Sequence, residues 1–262
     1  MSAIIAGTYN SRDTGGTPLA AGGVTRAGVL YRSDALGGIT DDGIRTLSES
    51  PIGTIVDFRS EFERVEAPNR LGTERSFVEV GIPLLEGSMT GMPSPADLGD
   101  LGDLDGEAAR AMLSRIPSLA ELYVGMLGSA AASFAEVARL VARPADDHGA
   151  VLVHCTAGKD RTGVATALLL DAAGADRAAV VADYAQSEEN LAGEWAERML
   201  ERARSWGMPL VPALTDLVTA TPPQAIEAAF AWIDERGGSA EYLRGGGLSD
   251  DDFEALRERI AG

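Results

Sequence analysis

This chain has little with which to crosslink or anchor itself. Its 262 residues hold one cysteine, Cys155, so no disulfide can form within it. A reducing compartment is therefore permitted and the thiol is left free. No apolar run approaches the ~18 residues of a membrane helix, which argues against stable membrane insertion. Residues 1–16 lack a basic start followed by a long apolar core, so no cleavable signal is visible. The cytoplasm is the expected location, with export lacking a recognisable signal as the alternative. There is one lysine, Lys159, and acidic residues outnumber Lys and Arg by 40 to 22, a net charge of −18. That excess disfavours nucleic acid and anionic surfaces as partners, because both require clustered cations. Any site for a phosphorylated ligand must then be a local positive island. Nothing in the pattern calls for a metal or an organic cofactor, and oligomeric state cannot be read.

What the chain does have is concentrated in His154-Cys155-Thr156-Ala157-Gly158-Lys159-Asp160-Arg161-Thr162-Gly163. The apolar run Gly149-Ala150-Val151-Leu152-Val153 leads in as a strand, and Thr162 to Leu170 leads out as a helix. A strand, a tight turn and a helix in that order leave free backbone N–H groups at a helix start, where an anion binds well. Helix dipoles and nearby cations favour the thiolate, the nucleophilic form of cysteine. Gly158 allows the positive φ that a curled loop needs. Arg161 offers a permanently charged planar fork for two phosphate oxygens. The loop residues Thr156, Ala157, Gly158, Lys159, Asp160, Arg161 and Thr162 are the candidate phosphate cradle. The Thr162 hydroxyl is expected to donate to the Cys155 sulfur. The implied reaction is attack of Cys155 on phosphorus, a phosphocysteine, then hydrolysis.

A coarse pass places other elements. Gly28 to Ser33 reads as a strand, Thr40-Asp41-Asp42 opens a helix ending near Ser50-Pro51, and Ile52 to Phe58 is a short apolar strand. A charged segment from Ser60 to Arg70 follows, and Ser76 to Leu84 alternates as a further strand. Residues 86–106, rich in Gly, Pro, Ser and Asp, read as a long flexible loop. Helical pattern runs from Glu107 to Val141, interrupted near Pro117 and Gly125 to Ser129. Two helices are read over Arg161 to Ala173 and Asp176 to Gln186. An amphipathic stretch from Glu188 to Trp206 comes next, and shorter helices complete the chain. The fold class is α/β, with a central, largely parallel sheet flanked by helices in one domain spanning 1–262. If the strands ending near Asp57 and His154 are neighbours, Asp57 and Arg59 come to the crevice at their carboxyl ends. Arg12, Arg32, Arg59, Lys159 and Arg161 are the candidates for the positive island. His154 should point away from the pocket along its strand, as a structural hydrogen-bond partner.

The ten-residue segment resembles the phosphate-binding loop of the cysteine-dependent phosphatase superfamily. Its Lys159-Asp160 pair is similar to the atypical bacterial tyrosine phosphatase family that also acts on phosphoinositides. Three further segments match in order: Asn10-Ser11-Arg12-Asp13-Thr14-Gly15-Gly16, Leu30-Tyr31-Arg32-Ser33-Asp34-Ala35-Leu36, and Ile55-Val56-Asp57-Phe58-Arg59-Ser60, where Phe58 replaces the usual leucine. The resemblance runs from about residue 8 to about residue 190. It implies a cysteine-phosphatase fold acting on phosphotyrosine, with phosphoserine, phosphothreonine and phosphoinositides as further substrates. It implies Cys155 as nucleophile, Arg161 as phosphate ligand and Asp160 as general acid, with Asp57 the second choice. No Trp-Pro-Asp tripeptide is present to supply an acid from elsewhere. It also implies that a helical pair covers the pocket, and residues 190–220 are the candidate lid, against a reading of the same stretch as a packed core helix. The alternative from another class is a catalytically silent phosphate-binding module of the same fold.

Overall fold

The computed structural model describes residues 3–84, 116–145, 148–205 and 210–262. The loop expected over 86–106 and the helical pattern expected from 107 to 115 lie outside the described residues. Five strands form one sheet: β1 (Arg12–Asp13), β2 (Leu30–Ser33), β3 (Ile52–Asp57), β4 (Val78–Gly81) and β5 (Ala150–His154), in the order β1-β2-β5-β3-β4. β1 pairs antiparallel with β2, and every other pairing is parallel. β5 is central and fully buried. Its side chains alternate between two cores, as a period of two requires. Val151 and Val153 join the larger core, and Ala150 and Leu152 join the smaller one with Ile52, Ile55, Ile44 and Leu47.

The larger core is closed by helices. In chain order the described helices are α1 (Asp41–Glu49), α2 (Glu61–Glu66), α3 (Leu119–Ser129), α4 (Ala131–Ala142), α5 (Arg161–Ala172), α6 (Arg177–Leu191), α7 (Glu194–Ser205), α8 (Pro212–Thr219), α9 (Pro223–Asp234), α10 (Gly238–Gly245) and α11 (Asp250–Ala261). Their starts follow local chemistry. Thr40 caps α1 by accepting from the Gly43 N–H, a contact worth about 1 kcal/mol. Ser60-x-x-Glu63 and Ser118-x-x-Glu121 form reciprocal capping boxes at α2 and α3. The helix break expected over Gly125 to Ser129 falls later. α3 runs through those residues, and the chain turns by 79° into α4 at Ala130. No single described helix is long and apolar enough to cross a membrane.

The register sets the position of the site. Ser33, His154 and Asp57 lie opposite one another across β2, β5 and β3. The residues that follow them, Asp34, Cys155 and Phe58, therefore share the carboxyl edge of a parallel sheet, where such folds bind ligands.

Candidate active site

From this edge the chain leaves β5 and curls over residues 155–160 into α5. Cys155 is 1% exposed and its Sγ turns into the loop, where the Gly158 N–H donates to it at 3.2 Å. Gly158 holds φ +67°, and a Cβ there would lie 2.4 Å from the Ser33 carbonyl oxygen and 2.6 Å from the Asp34 nitrogen. Only glycine fits both the conformation and the space. The Thr156 carbonyl accepts from the Ala35 N–H. Asn10 Nδ2 donates to the Ala157 and Gly158 carbonyls at 3.1 Å each, and Arg32 Nη2 donates to the Gly158 carbonyl at 2.8 Å. With its carbonyls fixed from behind, this part of the loop keeps its amides available toward the thiol.

Arg12 and Arg32 thus serve the back of the loop, which corrects their expected place in a positive island. They share the partly buried Asp183: Arg12 Nε lies 2.6 Å from Oδ1 and Arg32 Nη1 2.6 Å from Oδ2. Burial and the neighbouring Arg32 charge bring the Arg12 guanidinium down to about 10, against the opposing pull of Asp183. Arg59 is likewise engaged. Its Nε and Nη2 bind the Asp57 carboxylate, Nη1 the Ala67 carbonyl, and Nη2 also Asn69 Oδ1. Burial works to raise the Asp57 carboxyl, but the Arg59 hydrogen bonds outweigh it and hold the group below its ordinary range. His154 is fully buried, with Nε2 3.6 Å from Asp57 Oδ2. Burial lowers its pKa to about 4, so the ring is neutral near pH 7. The Thr162 hydroxyl is buried without a hydrogen-bond partner, so its expected donation to sulfur is not made. The Gly158 amide occupies that role.

The two cations of the loop segment itself are also paired, and of them Lys159 joins Arg59 on the wall of the cavity above. Arg161 donates from Nη1 to Glu63 Oε2 at 2.7 Å and from Nη2 to Glu63 Oε1 at 2.8 Å, with further contacts to the Phe58 carbonyl and Thr156 Oγ1. Thr156 Oγ1 also donates to Glu63 Oε1 at 2.5 Å. Burial opposes ionisation of Glu63, but Arg161, Thr156 and the Ser60 N–H bring its pKa down to about 2. Lys159 is 1% exposed and donates to Asp160 Oδ1 at 2.9 Å and to the Leu217 and Ala220 carbonyls at 3.0 and 3.1 Å. It therefore sits at the carboxyl end of α8, where a cation is favoured by the helix dipole. Asp160 Oδ1 also accepts from the Tyr123 hydroxyl at 2.7 Å.

Above the loop lies a cavity of about 580 Å³. Its wall includes Thr156, Ala157, Lys159, Asp160 and Glu63, with Trp195 and Met199 of α7 and Leu217 and Val218 of α8 among its apolar members. An ion pair between Arg202 of α7 and Glu66 of α2 spans from one side to the other. Among the described residues no group of three His, Cys, Asp or Glu side chains could hold a metal ion.

A profile of the tyrosine phosphatase family matches residues 4–262. The chain belongs to this family. It is 31% identical over 238 residues to a candidate tyrosine-protein phosphatase of Cupriavidus necator, covering 90% of this chain and 80% of that protein. It is 30% identical over 240 residues to a tyrosine-protein phosphatase of Nostoc commune, covering 89% and 74%. It is 29% identical over 279 aligned positions to the triple specificity protein phosphatase PtpB of Mycobacterium tuberculosis, covering 98% of both. The fold is that of a cysteine phosphatase, and this family member is a hydrolase of phosphoric monoesters. Sequence reasoning missed Glu63, Tyr123 and Tyr184. Only Glu63 carried a readable signal, as the acid of Ser60-x-x-Glu63.

Proposed function

We propose that this tyrosine phosphatase family member hydrolyses phosphotyrosine in proteins through a phosphocysteine formed on Cys155. One observation carries the reading. The chain's single thiol directly follows the central strand, accepts an amide of its own loop, and stands six residues before an arginine at a helix start. Cys155 as thiolate attacks phosphorus, an S–P bond forms, and the P–O bond to the tyrosyl oxygen breaks. Asp160 gives that oxygen its proton, and Arg161 and the loop amides hold the phosphoryl oxygens. Water then attacks phosphorus, Asp160 takes up its proton, and the S–P bond breaks to return the thiolate and inorganic phosphate. Asp57 and Arg59, the latter on the cavity wall, form a supporting ion pair beside the loop in this scheme, and α7 with α8 is the lid.

The triple specificity of the mycobacterial relative supports phosphoserine and phosphothreonine as further substrates. Phosphoinositides rest on Lys159 as the cation for a second phosphate. Its ammonium is committed to Asp160 and to α8, so that activity requires α8 to move.

Hydrolysis of a phosphotyrosine peptide and of 4-nitrophenyl phosphate in the presence of EDTA tests the reading. Cys155→Ser should abolish turnover, and rapid quenching of Asp160→Asn should show a protein mass gain of one phosphoryl group. Retained turnover in Cys155→Ser rejects the cysteine mechanism. Phosphate binding without turnover in the unaltered protein selects the silent module instead.

A further inference from the structure

We infer that Tyr123 is a positioning residue for the acid: it turns the Asp160 carboxyl so that Oδ2 is the oxygen that carries and delivers the proton. The inference rests on the reading of Asp160 as general acid and adds what holds that acid in place. Tyr123 lies on α3, is fully buried, and its hydroxyl is 2.7 Å from Asp160 Oδ1 and 2.8 Å from the Tyr184 hydroxyl. A carboxylate oxygen only accepts, so the one hydroxyl hydrogen of Tyr123 goes to Asp160. Tyr184 must then donate to Tyr123, and the three groups form a chain with one direction, each bond polarising the next.

The backbone supplies a second, independent observation. Asp160 is the N-cap residue of α5, a position where an aspartate ordinarily accepts from an amide of the first turn. Here its side chain makes no cap bond. It is turned away from the helix toward Tyr123. Lys159 Nζ donates to the same Oδ1 at 2.9 Å, so two donors hold one oxygen. Among the described residues Oδ2 receives none, and Asp160 is part of the cavity wall with its side chain 23% exposed. Two donors on Oδ1 leave no room for a hydrogen there, so a proton on this carboxyl resides on Oδ2. Burial, with the neighbouring Asp160 charge, pushes the Tyr123 hydroxyl well above its ordinary range. It therefore stays a donor through the working pH range and does not compete as an acid.

A positioning role is separated from a packing role by the leaving group. The measurement is kcat/KM for an aryl phosphate series from 4-nitrophenyl phosphate, whose phenolate leaves unaided, to phenyl phosphate, whose phenolate needs a proton. Asp160→Asn should lose ~100-fold or more on phenyl phosphate and much less on 4-nitrophenyl phosphate. Tyr123→Phe should bend in the same direction, with about a 10-fold loss on phenyl phosphate and about a 2-fold loss on the nitro ester. Tyr184→Phe removes the donor behind Tyr123 and leaves the Tyr123–Asp160 contact. It should give a smaller bend of the same sign. Equal losses across the series in Tyr123→Phe overturn the inference while leaving Asp160 as the acid. If Tyr123→Phe does not fold, a flat response in Tyr184→Phe overturns it. A flat response in Asp160→Asn instead overturns the underlying reading, and the inference falls with it.

Discussion

Glu63 and Arg161 meet in two parallel hydrogen bonds, Nη1 to Oε2 at 2.7 Å and Nη2 to Oε1 at 2.8 Å. The same carboxylate closes the capping box of α2, accepting from the Ser60 N–H at 2.9 Å. One side chain therefore fixes the start of a helix on one strand end and the arginine of the loop on another. Bidentate pairs of this kind add geometric specificity as well as energy.

Glu63→Gln tests that coupling through pH. A glutamate ionises near pH 4.5 when unfolded and near 2 in this fold. The folded carboxyl is depressed, so its contribution is complete above about 4.5 and is lost as pH falls toward 2. The pair is partly open to solvent, which limits the expected difference to about 1–2 kcal/mol at neutral pH. Urea unfolding of the two proteins across this range should show a gap that narrows on acidification. A gap independent of pH would place the effect in the capping box alone.

Gly158→Ala addresses the fit of the loop against β2. The new methyl would meet the Ser33 carbonyl at 2.4 Å in a residue held at φ +67°. Both strain and contact act against it, so a loss of about 2 kcal/mol or more is expected. The Cys155 contact with the Gly158 N–H should go with it. Thermal unfolding and turnover together check this, and a variant with unchanged melting and unchanged kcat/KM would refute the tight approach.

Much of this arrangement was legible because it is local. The strand Ala150–His154, the glycine turn and the helix from Arg161 follow one another within some twenty residues, and apolar pattern and loop chemistry agree there. The segments around Asn10, Arg32 and Asp57 were legible as belonging to the same site. Which side of the loop each would occupy was not. That depends on β2 and β3 flanking β5, and it sends Asn10 and Arg32 behind the loop and locks Arg59 onto Asp57. Glu63 was hidden because Ser60-x-x-Glu63 is satisfied within its own helix, while Arg161 is 98 residues away. Tyr123 was hidden in an apolar helical stretch, where an aromatic reads as core. The strand expected over Ser76 to Leu84 contracts to Val78–Gly81, since it pairs with β3 alone at the sheet edge.

Lys159→Met tests the tie between the loop and α8. The substitution keeps the buried stem and removes the ammonium that Asp160, Leu217 and Ala220 share. Those acceptors lose a charged donor, with a cost of about 1–3 kcal/mol. Amide hydrogen exchange should accelerate in α8 and α7 while the central strands β3 and β5 keep their protection. Equal protection of α8 in both proteins would show that its packing, with no help from the ammonium, holds it down.

His154 supplies a pH dependence of its own. Unfolded, its imidazole takes a proton near pH 6.5; folded, burial delays this to about 4. Between those values the unfolded chain binds more protons, so stability falls as pH drops through that window. A separation of this size corresponds to about 3 kcal/mol. Asp34 works in the opposite sense. Burial raises its carboxyl to about 6 against the pull of the Asn10 and Tyr9 N–H groups, so the folded chain holds its proton more tightly and acidification favours it. The two cancel in part between pH 4 and 6, and the net slope of the unaltered protein does not isolate either. His154→Asn leaves Asp34 in place, and its stability relative to the unaltered protein should improve steadily from pH 6.5 downward. A ring NMR titration gives the direct check. An imidazolium signal for His154 already at pH 6 would remove the argument.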